Sequence, residues 1–159
     1  SDLTEKLCQL AAKNNWTVYF LGGKDDIAQK ALVKVQEKYP SLKGWAEAGP
    51  KLEIGNWKLE ITEKWVETVN QKQPDLLFVA FGMGKQEKFI YDNWDQLKVK
   101  LAIGVGGSFD YHSGQIQRAP EKIRNAGFEW FYRLLKEPWR FKRQLRLLKF
   151  IRLILTDKN

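Results

Sequence analysis

Glycine, glutamine and acidic residues follow two apolar runs of the sequence, and their types and spacing suit the binding of a charged ligand. The segment GMGKQE occupies residues 82–87, and GVGGSFDYHSG occupies residues 104–114. Glycine lets a ligand approach the backbone closely, and the free N–H groups at the start of a helix favour an anion. The amide of Gln86 can both donate and accept a hydrogen bond. These features predict a site for a phosphate or another anion.

Each motif also has a purely structural interpretation. Gly82 and Gly84 can simply make a turn, and Glu87 can complement the positive end of a helix dipole. Phe109 offers an aromatic face to a base, but it also fits a core. Asp110 can accept hydrogen bonds from a nucleoside, but it is also a common turn residue. Short glycine patterns are weak signals by themselves, so both interpretations stay open at this point.

The sequence offers little for metal or histidine chemistry. His112 is the single histidine, so a catalytic dyad or a histidine-rich metal site has no second member. Asp25 and Asp26 are adjacent and indicate the start of a helix, not the spaced carboxylates that hold Mg²⁺ or Mn²⁺ against a nucleotide diphosphate. A diphosphate at this site would be neutralised by helix N-termini and arginines. No metal site is predicted.

Alternating strand and helix signals would position these motifs. Apolar β-branched and aromatic runs predict strands, and apolar residues at helical spacing predict helices. The predicted strands occupy residues 16–23, 41–49, 75–82 and 101–107, and the predicted helices occupy residues 24–39, 61–73 and 85–97. A cap at Thr62 is predicted to open the second of these helices. The order indicates an α/β fold: a Rossmann-like, mostly parallel sheet flanked by helices.

Glycines mark the ends of three predicted strands. They are Gly22 with Gly23, Gly82 with Gly84, and Gly106 with Gly107. The carboxyl ends of parallel strands lie at one edge of the sheet, and ligands of such sheets bind there. We therefore expect the glycine-rich turns to meet at a single site.

Positive charge is concentrated towards the carboxyl terminus. The formal net charge is +8, and residues 118–159 contain twelve Lys or Arg against four Asp or Glu, so residues 1–117 are neutral overall. We therefore divide the chain into a core of residues 1–117 and a basic helical appendage of residues 118–159. A basic segment of this kind favours a polyanionic partner, such as nucleic acid, anionic lipid or a phosphorylated substrate.

The appendage has the pattern of an amphipathic helix. With about 100° per residue from Pro138, basic residues collect on one side and aromatic or aliphatic residues on the other. Arg140 and Arg143 fall within the apolar side and therefore need an anionic partner. They either extend towards lipid headgroups or reach into a site on the core. A helix of this type lies in a membrane interface, while ordinary packing on the core stays an alternative.

Two further features bear on location. Cys8 is the only cysteine, which excludes an intramolecular disulfide and favours a reducing compartment. No run approaches the roughly 18 apolar residues of a spanning helix, and the amino terminus lacks the pattern of a signal peptide. Nothing in the sequence marks a secreted or integral membrane protein.

Three motifs together resemble a known family. The segments GMGKQEKF, GVGGSFDYHSGQIQRAP and GFEWFYRLLKEPWRF have the order and spacing of the WecG/TagA/CpsF glycosyltransferases, glycosyltransferase family 26, and the likeness runs from Asp2 to the carboxyl end. The resemblance implies an inverting, metal-independent hexosyltransferase that takes a sugar, often of the N-acetylmannosamine type, from a UDP donor. It also implies a polyprenyl-diphosphate-linked acceptor, the cytoplasmic face of a bacterial membrane, and the synthesis of wall polymers such as teichoic acid or of surface polysaccharides.

The resemblance implies roles for residues of the core. In the turn that contains Gly82 and Gly84, Gln86 would contact the donor sugar or its diphosphate. The family usually has proline where this chain has Gly84. The glycine makes the turn looser but keeps its N–H donors. The residues that would hold the uridine are Gly106, Gly107, Phe109 and Asp110.

It also implies a catalytic part for the appendage. Arg133, Arg140 and Arg143 match the family's active-site arginines and would stabilise the departing UDP, so no metal and no further cofactor is expected. The chain begins part-way along the family's length, and the aspartate expected to act as general base belongs to the part that precedes it. Removing the acceptor's proton needs such a base, so this chain alone is expected to have little activity.

Three classes of function follow. The leading one is the glycosyltransferase, with a UDP-sugar, a lipid-linked acceptor and an anionic membrane surface as partners, no nucleic acid, and self-association left open. The second is a nucleic-acid-binding module without catalytic activity that uses the basic appendage on phosphates. The third, a nicotinamide-dependent oxidoreductase, is disfavoured because no strand end has the full glycine spacing of a dinucleotide site.

Overall fold

The computed structural model describes most of the core and a few residues of the appendage. These are residues 2–49, 59–82 and 84–116, with residues 119, 120, 123, 126–128, 131, 132 and 135. The chain divides into two compact units, Ser1–Ile116 and Gln117–Asn159. The roles predicted for residues 1–117 and 118–159 stay predictions.

Helices and strands alternate through the described part of the first unit. The strands are β1 (Thr17–Gly22), β2 (Lys43–Glu47), β3 (Leu76–Ala80) and β4 (Leu101–Gly104), and the helices are α1 (Asp2–Asn14), α2 (Ile27–Lys38), α3 (Leu59–Lys72), α4 (Lys85–Asn93) and α5 (Ser108–His112). The sheet has the order β2-β1-β3-β4, and all three strand pairs are parallel. The predicted α/β class and the mostly parallel sheet flanked by helices are confirmed.

Both faces of the sheet are covered, which explains the continuous apolar runs of β1 and β3. On one face Val18 and Phe20 lie in a cluster with buried side chains of α1, α2 and α5. On the other face Tyr19 and Leu21 lie in a second cluster with Val66 of α3 and residues of α4. Alternate residues of one strand therefore belong to opposite halves of the core.

One carboxylate connects neighbouring strands at the amino-terminal edge of the sheet. Asp75 Oδ2 accepts hydrogen bonds from the backbone N–H of Thr17 at 2.8 Å and from its hydroxyl at 3.1 Å. Asp75 Oδ1 lies 2.7 Å from Lys100 Nζ, and the carbonyl of Asp75 accepts the N–H groups of Lys100 and Leu101. Asp75 thus links the beginnings of β1, β3 and β4.

The carboxyl-terminal edge depends on close backbone approach. Gly22 ends β1 with φ of +120°, and a Cβ there would lie 2.7 Å from the carbonyl carbon of Ala80. The N–H of Gly23 donates to the carbonyl oxygen of Ala80 at 3.0 Å. The chain leaves β1 towards β2 and leaves β3 towards β4, so the strand order reverses between β1 and β3, and sheets of this kind bind ligands outside the carboxyl ends of the strands at such a point.

The structure differs from the sequence predictions at three helices. The predicted cap at Thr62 is wrong, because α3 begins at Leu59 and Thr62 is a buried residue within it. Helix α1 was not predicted, since its buried face consists of small residues and not a large apolar stripe. Helix α5 lies in a segment interpreted as a loop. Among the described helices, none has the length and apolar character needed to cross a membrane.

Candidate functional site

The turns after β3 and β4 lie side by side at the carboxyl-terminal edge. Gly82, Gly84 and Gly106 all have positive φ, at +90°, +81° and +52°, a conformation that favours glycine. The expectation that the strand-end glycines share one edge is confirmed, because β3 and β4 are parallel neighbours. Helix α4 begins at Lys85 beside this edge, and its first N–H groups, those of Lys85 and Gln86, both donate to the carbonyl of Gly82 at 3.2 Å.

Gln86 joins the two turns. It is a buried residue near the start of α4, and its Oε1 accepts the backbone N–H of Gly106 at 3.0 Å. Its Nε2 donates to Glu87 Oε1 at 2.8 Å. A Cβ at position 104 would lie 2.7 Å from Nε2 of Gln86, so Gly104 provides the space that this side chain occupies. The structure therefore brings Gln86 together with Gly106, as the sequence predicts for a shared site.

Glu87 completes the first turn. Its Oε2 accepts the backbone N–H of Gly84 at 2.7 Å. Partial burial by itself raises the pKa of Glu87, but hydrogen bonds from the Gln86 side chain and from the backbone N–H groups of Glu87 and Gly84 outweigh it and lower the pKa below its ordinary value. The carboxylate is therefore ionised at neutral pH and can accept from two donors at once.

Phe109 and Asp110 follow the turn after β4, at the start of α5. The Phe109 ring is buried and stacks on Phe20 with centroids 4.7 Å apart and an interplanar angle of 5°. This placement favours the core interpretation. The backbone carbonyl of Asp110, within α5, accepts the N–H of Ile116 and the hydroxyl of Ser113, both at 3.1 Å. Their roles in holding uridine stay predictions.

Similarity to known proteins identifies the family of this chain. The family model described as Glycosyl transferase WecG/TagA/CpsF family matches residues 1–159. The chain belongs to this family. It is 32% identical over 160 residues to the N-acetylglucosaminyldiphosphoundecaprenol N-acetyl-beta-D-mannosaminyltransferase of Bacillus subtilis (strain 168). The match covers 99% of this chain and 59% of that enzyme, so the chain spans less than two thirds of the relative's length.

Family membership confirms the resemblance found in the motifs. The structure also shows contacts of residues whose part in the site the sequence analysis did not predict. Gly104 has no local sign of importance, because its value lies in the contact with Gln86. Glu87 was interpreted only as a complement to the helix dipole, yet it binds Gly84 and Gln86 together. Gly107 precedes α5 as its N-cap.

The predicted arginines and the metal question are not decided by this geometry. Arg133, Arg140 and Arg143 lie outside the described residues. Within the part of the chain that the structure describes, no three His, Cys, Asp or Glu side chains are grouped so that they could hold a metal ion. Metal-independent chemistry stays a prediction.

Proposed function

We propose that the chain forms the nucleotide-binding part of an inverting glycosyltransferase that moves an N-acetylmannosamine-type sugar from UDP to a polyprenyl-diphosphate-linked acceptor. Family membership supports the class of reaction. The name of the Bacillus subtilis relative supports the sugar and the lipid-linked acceptor. The product would serve bacterial cell-wall or surface polysaccharide synthesis.

The observation that carries this proposal within the structure is the junction of two turns at one edge of a parallel sheet. Gln86 lies between them, and the start of α4 adjoins it. Glycine turns at such an edge let a diphosphate approach the backbone closely. The donor's UDP would bind across this edge, with its sugar beside the turn that contains Gly82 and Gly84.

The proposed reaction is a displacement at the anomeric carbon of the donor sugar. The acceptor hydroxyl attacks the anomeric carbon, the bond from that carbon to the UDP oxygen breaks, and the configuration inverts. The hydroxyl proton passes to a general base, to which no residue of this chain is assigned. The negative charge that develops on UDP would be stabilised by fixed positive groups. We assign this to Arg133, Arg140 and Arg143.

The arginine assignment has its own test. Arg140→Ala combined with Arg143→Ala in an enzyme that includes the whole family length is expected to lower turnover by at least about tenfold, the loss typical of removing charge stabilisation. Lys158→Ala, at the far end of the appendage, is the matched control for loss of positive charge. Turnover that stays unchanged in the double variant would remove these arginines from the mechanism.

We also propose that the protein associates peripherally with the inner face of the cell membrane. Phe128, Phe131 and Leu135 of the second unit expose apolar side chains, and the basic composition of residues 118–159 complements anionic lipid. Pelleting with vesicles that contain phosphatidylglycerol, but not with phosphatidylcholine vesicles, is the expected result. Equal recovery with both would contradict it.

Nucleotide binding can be tested directly on this chain. UDP should raise the midpoint of thermal unfolding, because a ligand that binds only the folded state stabilises it. ADP at the same concentration is the control for phosphate binding alone, and EDTA should leave the UDP effect unchanged. Tight, salt-sensitive binding to DNA or RNA without a response to UDP would instead favour the nucleic-acid-binding module.

A further inference from the structure

Three hydrogen bonds connect the two glycine turns through side chains of α4. The N–H of Gly84 donates to Glu87 Oε2, the Nε2 of Gln86 donates to Glu87 Oε1, and the N–H of Gly106 donates to Gln86 Oε1, at 2.7, 2.8 and 3.0 Å. We propose that Glu87 is a positioning residue: it fixes the amide of Gln86, and through that amide it fixes the turn after β4. The inference rests on the proposed function, because that turn is assigned to the donor site.

The carboxylate determines which way the amide of Gln86 faces. An ionised carboxylate only accepts hydrogen bonds, so Nε2 must face Glu87. Oε1 then faces Gly106, whose N–H needs an acceptor. The opposite orientation would put Oε1 against the carboxylate and Nε2 against the N–H of Gly106, which gives two repulsive contacts.

Gly104 provides the space in which the amide of Gln86 lies. A Cβ at residue 104 would lie 2.7 Å from Nε2, 2.9 Å from Cγ and 3.0 Å from Cδ of Gln86. The amide therefore lies directly on the backbone of β4. Gln86 is 5% exposed, so its amide is shielded from water, whereas its partner Glu87 is an exposed residue.

The same hydrogen bonds limit what the backbone N–H groups of the two glycine turns can offer a ligand. The N–H groups of Gly84 and Gly106 are already donated within the protein. What these two glycines provide for a ligand is therefore the position of the turns and not a free hydrogen bond. Small displacements of such groups are costly for a bound substrate.

Exchanging the side chains of Gln86 and Glu87 distinguishes a positioning role of Glu87 from a direct contact between Gln86 and the donor. Gln86→Glu alone places two carboxylates against each other. Glu87→Gln alone leaves one acceptor oxygen for two N–H donors. The double variant Gln86→Glu with Glu87→Gln can form all three hydrogen bonds again, with the polarity of the pair reversed and the net charge unchanged. A direct contact between the donor and the Nε2 of Gln86 would not be restored.

The measured quantity is the affinity for UDP, followed by titration calorimetry on this chain. Each single variant should bind UDP about tenfold more weakly, a typical coupling for residues in one hydrogen-bond network, and the double variant should recover most of that loss. Asp92→Asn, on the same helix but away from both turns, is the matched control and should bind as the unchanged chain does. A double variant as weak as the weaker single variant would overturn the proposal, as would full affinity in Glu87→Gln.

A second measurement does not depend on UDP. In ¹⁵N spectra of the ligand-free chain, Glu87→Gln should shift the amide signals of both Gly84 and Gly106, although Glu87 touches only the first directly. An unchanged Gly106 signal would overturn the positioning of that turn. If the unchanged chain does not bind UDP, the proposed function fails, and the Gly106 signal alone then decides the inference.

Discussion

The two edges of the sheet are stabilised in contrasting ways. At the amino-terminal edge, a charged side chain, Asp75, links the starts of three strands and lies next to the exposed Lys100. At the carboxyl-terminal edge, glycines allow the backbones of β1 and β3 to approach, and a buried amide, Gln86, links two turns. The first edge is joined by the side chain and the backbone carbonyl of one residue, whereas the close approach of strands at the second edge depends on glycine.

This contrast separates stability from ligand binding. The hydrogen bonds of the Asp75 carboxylate can be lost without changing the shape of the carboxyl-terminal edge, because the strands that join the two edges remain paired. A side chain added at a glycine of the carboxyl-terminal edge must displace backbone atoms. Changes at the first edge should therefore lower the free energy of unfolding alone, and changes at the second should alter both stability and the affinity for UDP.

The largest effect is expected from Gly22→Ala. The new Cβ would lie 2.7 Å from the carbonyl of Ala80, at a φ of +120° that alanine rarely adopts. We expect a loss of roughly 3 kcal/mol in the free energy of unfolding, measured by urea denaturation. Gly114→Ala is the matched control, because its φ is also positive, at +78°, but no atom lies within 4 Å of the added Cβ. Equal losses would show that backbone strain, and not close approach, governs this edge.

Asp75→Ala should have the next largest effect. It removes the acceptor for the N–H and hydroxyl of Thr17, and we expect a loss of about 2 kcal/mol in the free energy of unfolding. The affinity for UDP per folded molecule should not change, which sharpens the contrast between the edges. Asp92→Ala, which removes an exposed carboxylate paired with Lys88, is the control. A weaker affinity for UDP in Asp75→Ala would break the separation proposed above.

Acid should have the same effect as this substitution. Hydrogen bonds from Lys100 and from the N–H of Thr17 lower the pKa of Asp75. A carboxylate with a lowered folded pKa stabilises the protein fully above about pH 4, and this contribution is lost as the pH falls through the folded value. The free energy of unfolding should therefore fall less steeply with acid in Asp75→Ala than in the unchanged chain.

A smaller loss is expected from Phe109→Leu. The Phe109 ring stacks on Phe20 within the core, so the shorter side chain should lower the free energy of unfolding by about 1 kcal/mol. If Phe109 acts only in the core, the UDP affinity of the folded variant stays near that of the unchanged chain. An affinity loss of about tenfold, larger than its packing defect explains, would return Phe109 to the uridine site.

The smallest effect is expected from Lys100→Ala. The Lys100 side chain is 73% exposed, whereas that of Asp75 is 20% exposed, so solvent screens their ion pair. The loss should be below about 1 kcal/mol, and it should diminish in high salt. Lys88→Ala provides a comparison with another exposed pair. A loss as large as that of Asp75→Ala would mean that the ion pair, and not the contact with Thr17, holds the amino-terminal edge.

The sequence predicted the sheet better than the site. Runs such as residues 76–81 are apolar throughout because both faces of β3 are covered, and that pattern is local. The glycine turns were also predictable, since parallel strands bring their carboxyl ends together. Helix α1 was not predicted, and its apolar period does not match its buried face: Leu3 and Leu10 recur at helical spacing but are exposed, while the buried positions Cys8 and Ala11 are small.

The parts of the site that could not be predicted depend on contacts between distant residues. The burial of Gln86 follows from the space above Gly104, eighteen positions later in the chain. The aromatic side chain of Phe109 suits either stacking on a base or a position in the core, and only the position of Phe20 favours the core. No pattern within one segment contains that information.

Cys8 gives the core a built-in chemical reporter. It is the only thiol of the chain, it is completely buried in α1, and burial, with a smaller contribution from Glu5, raises its pKa to about 12. The thiolate is the form that reacts with alkylating reagents, so the native chain should resist iodoacetamide until α1 separates from the sheet. The rate of alkylation in native buffer would then record how often that helix opens.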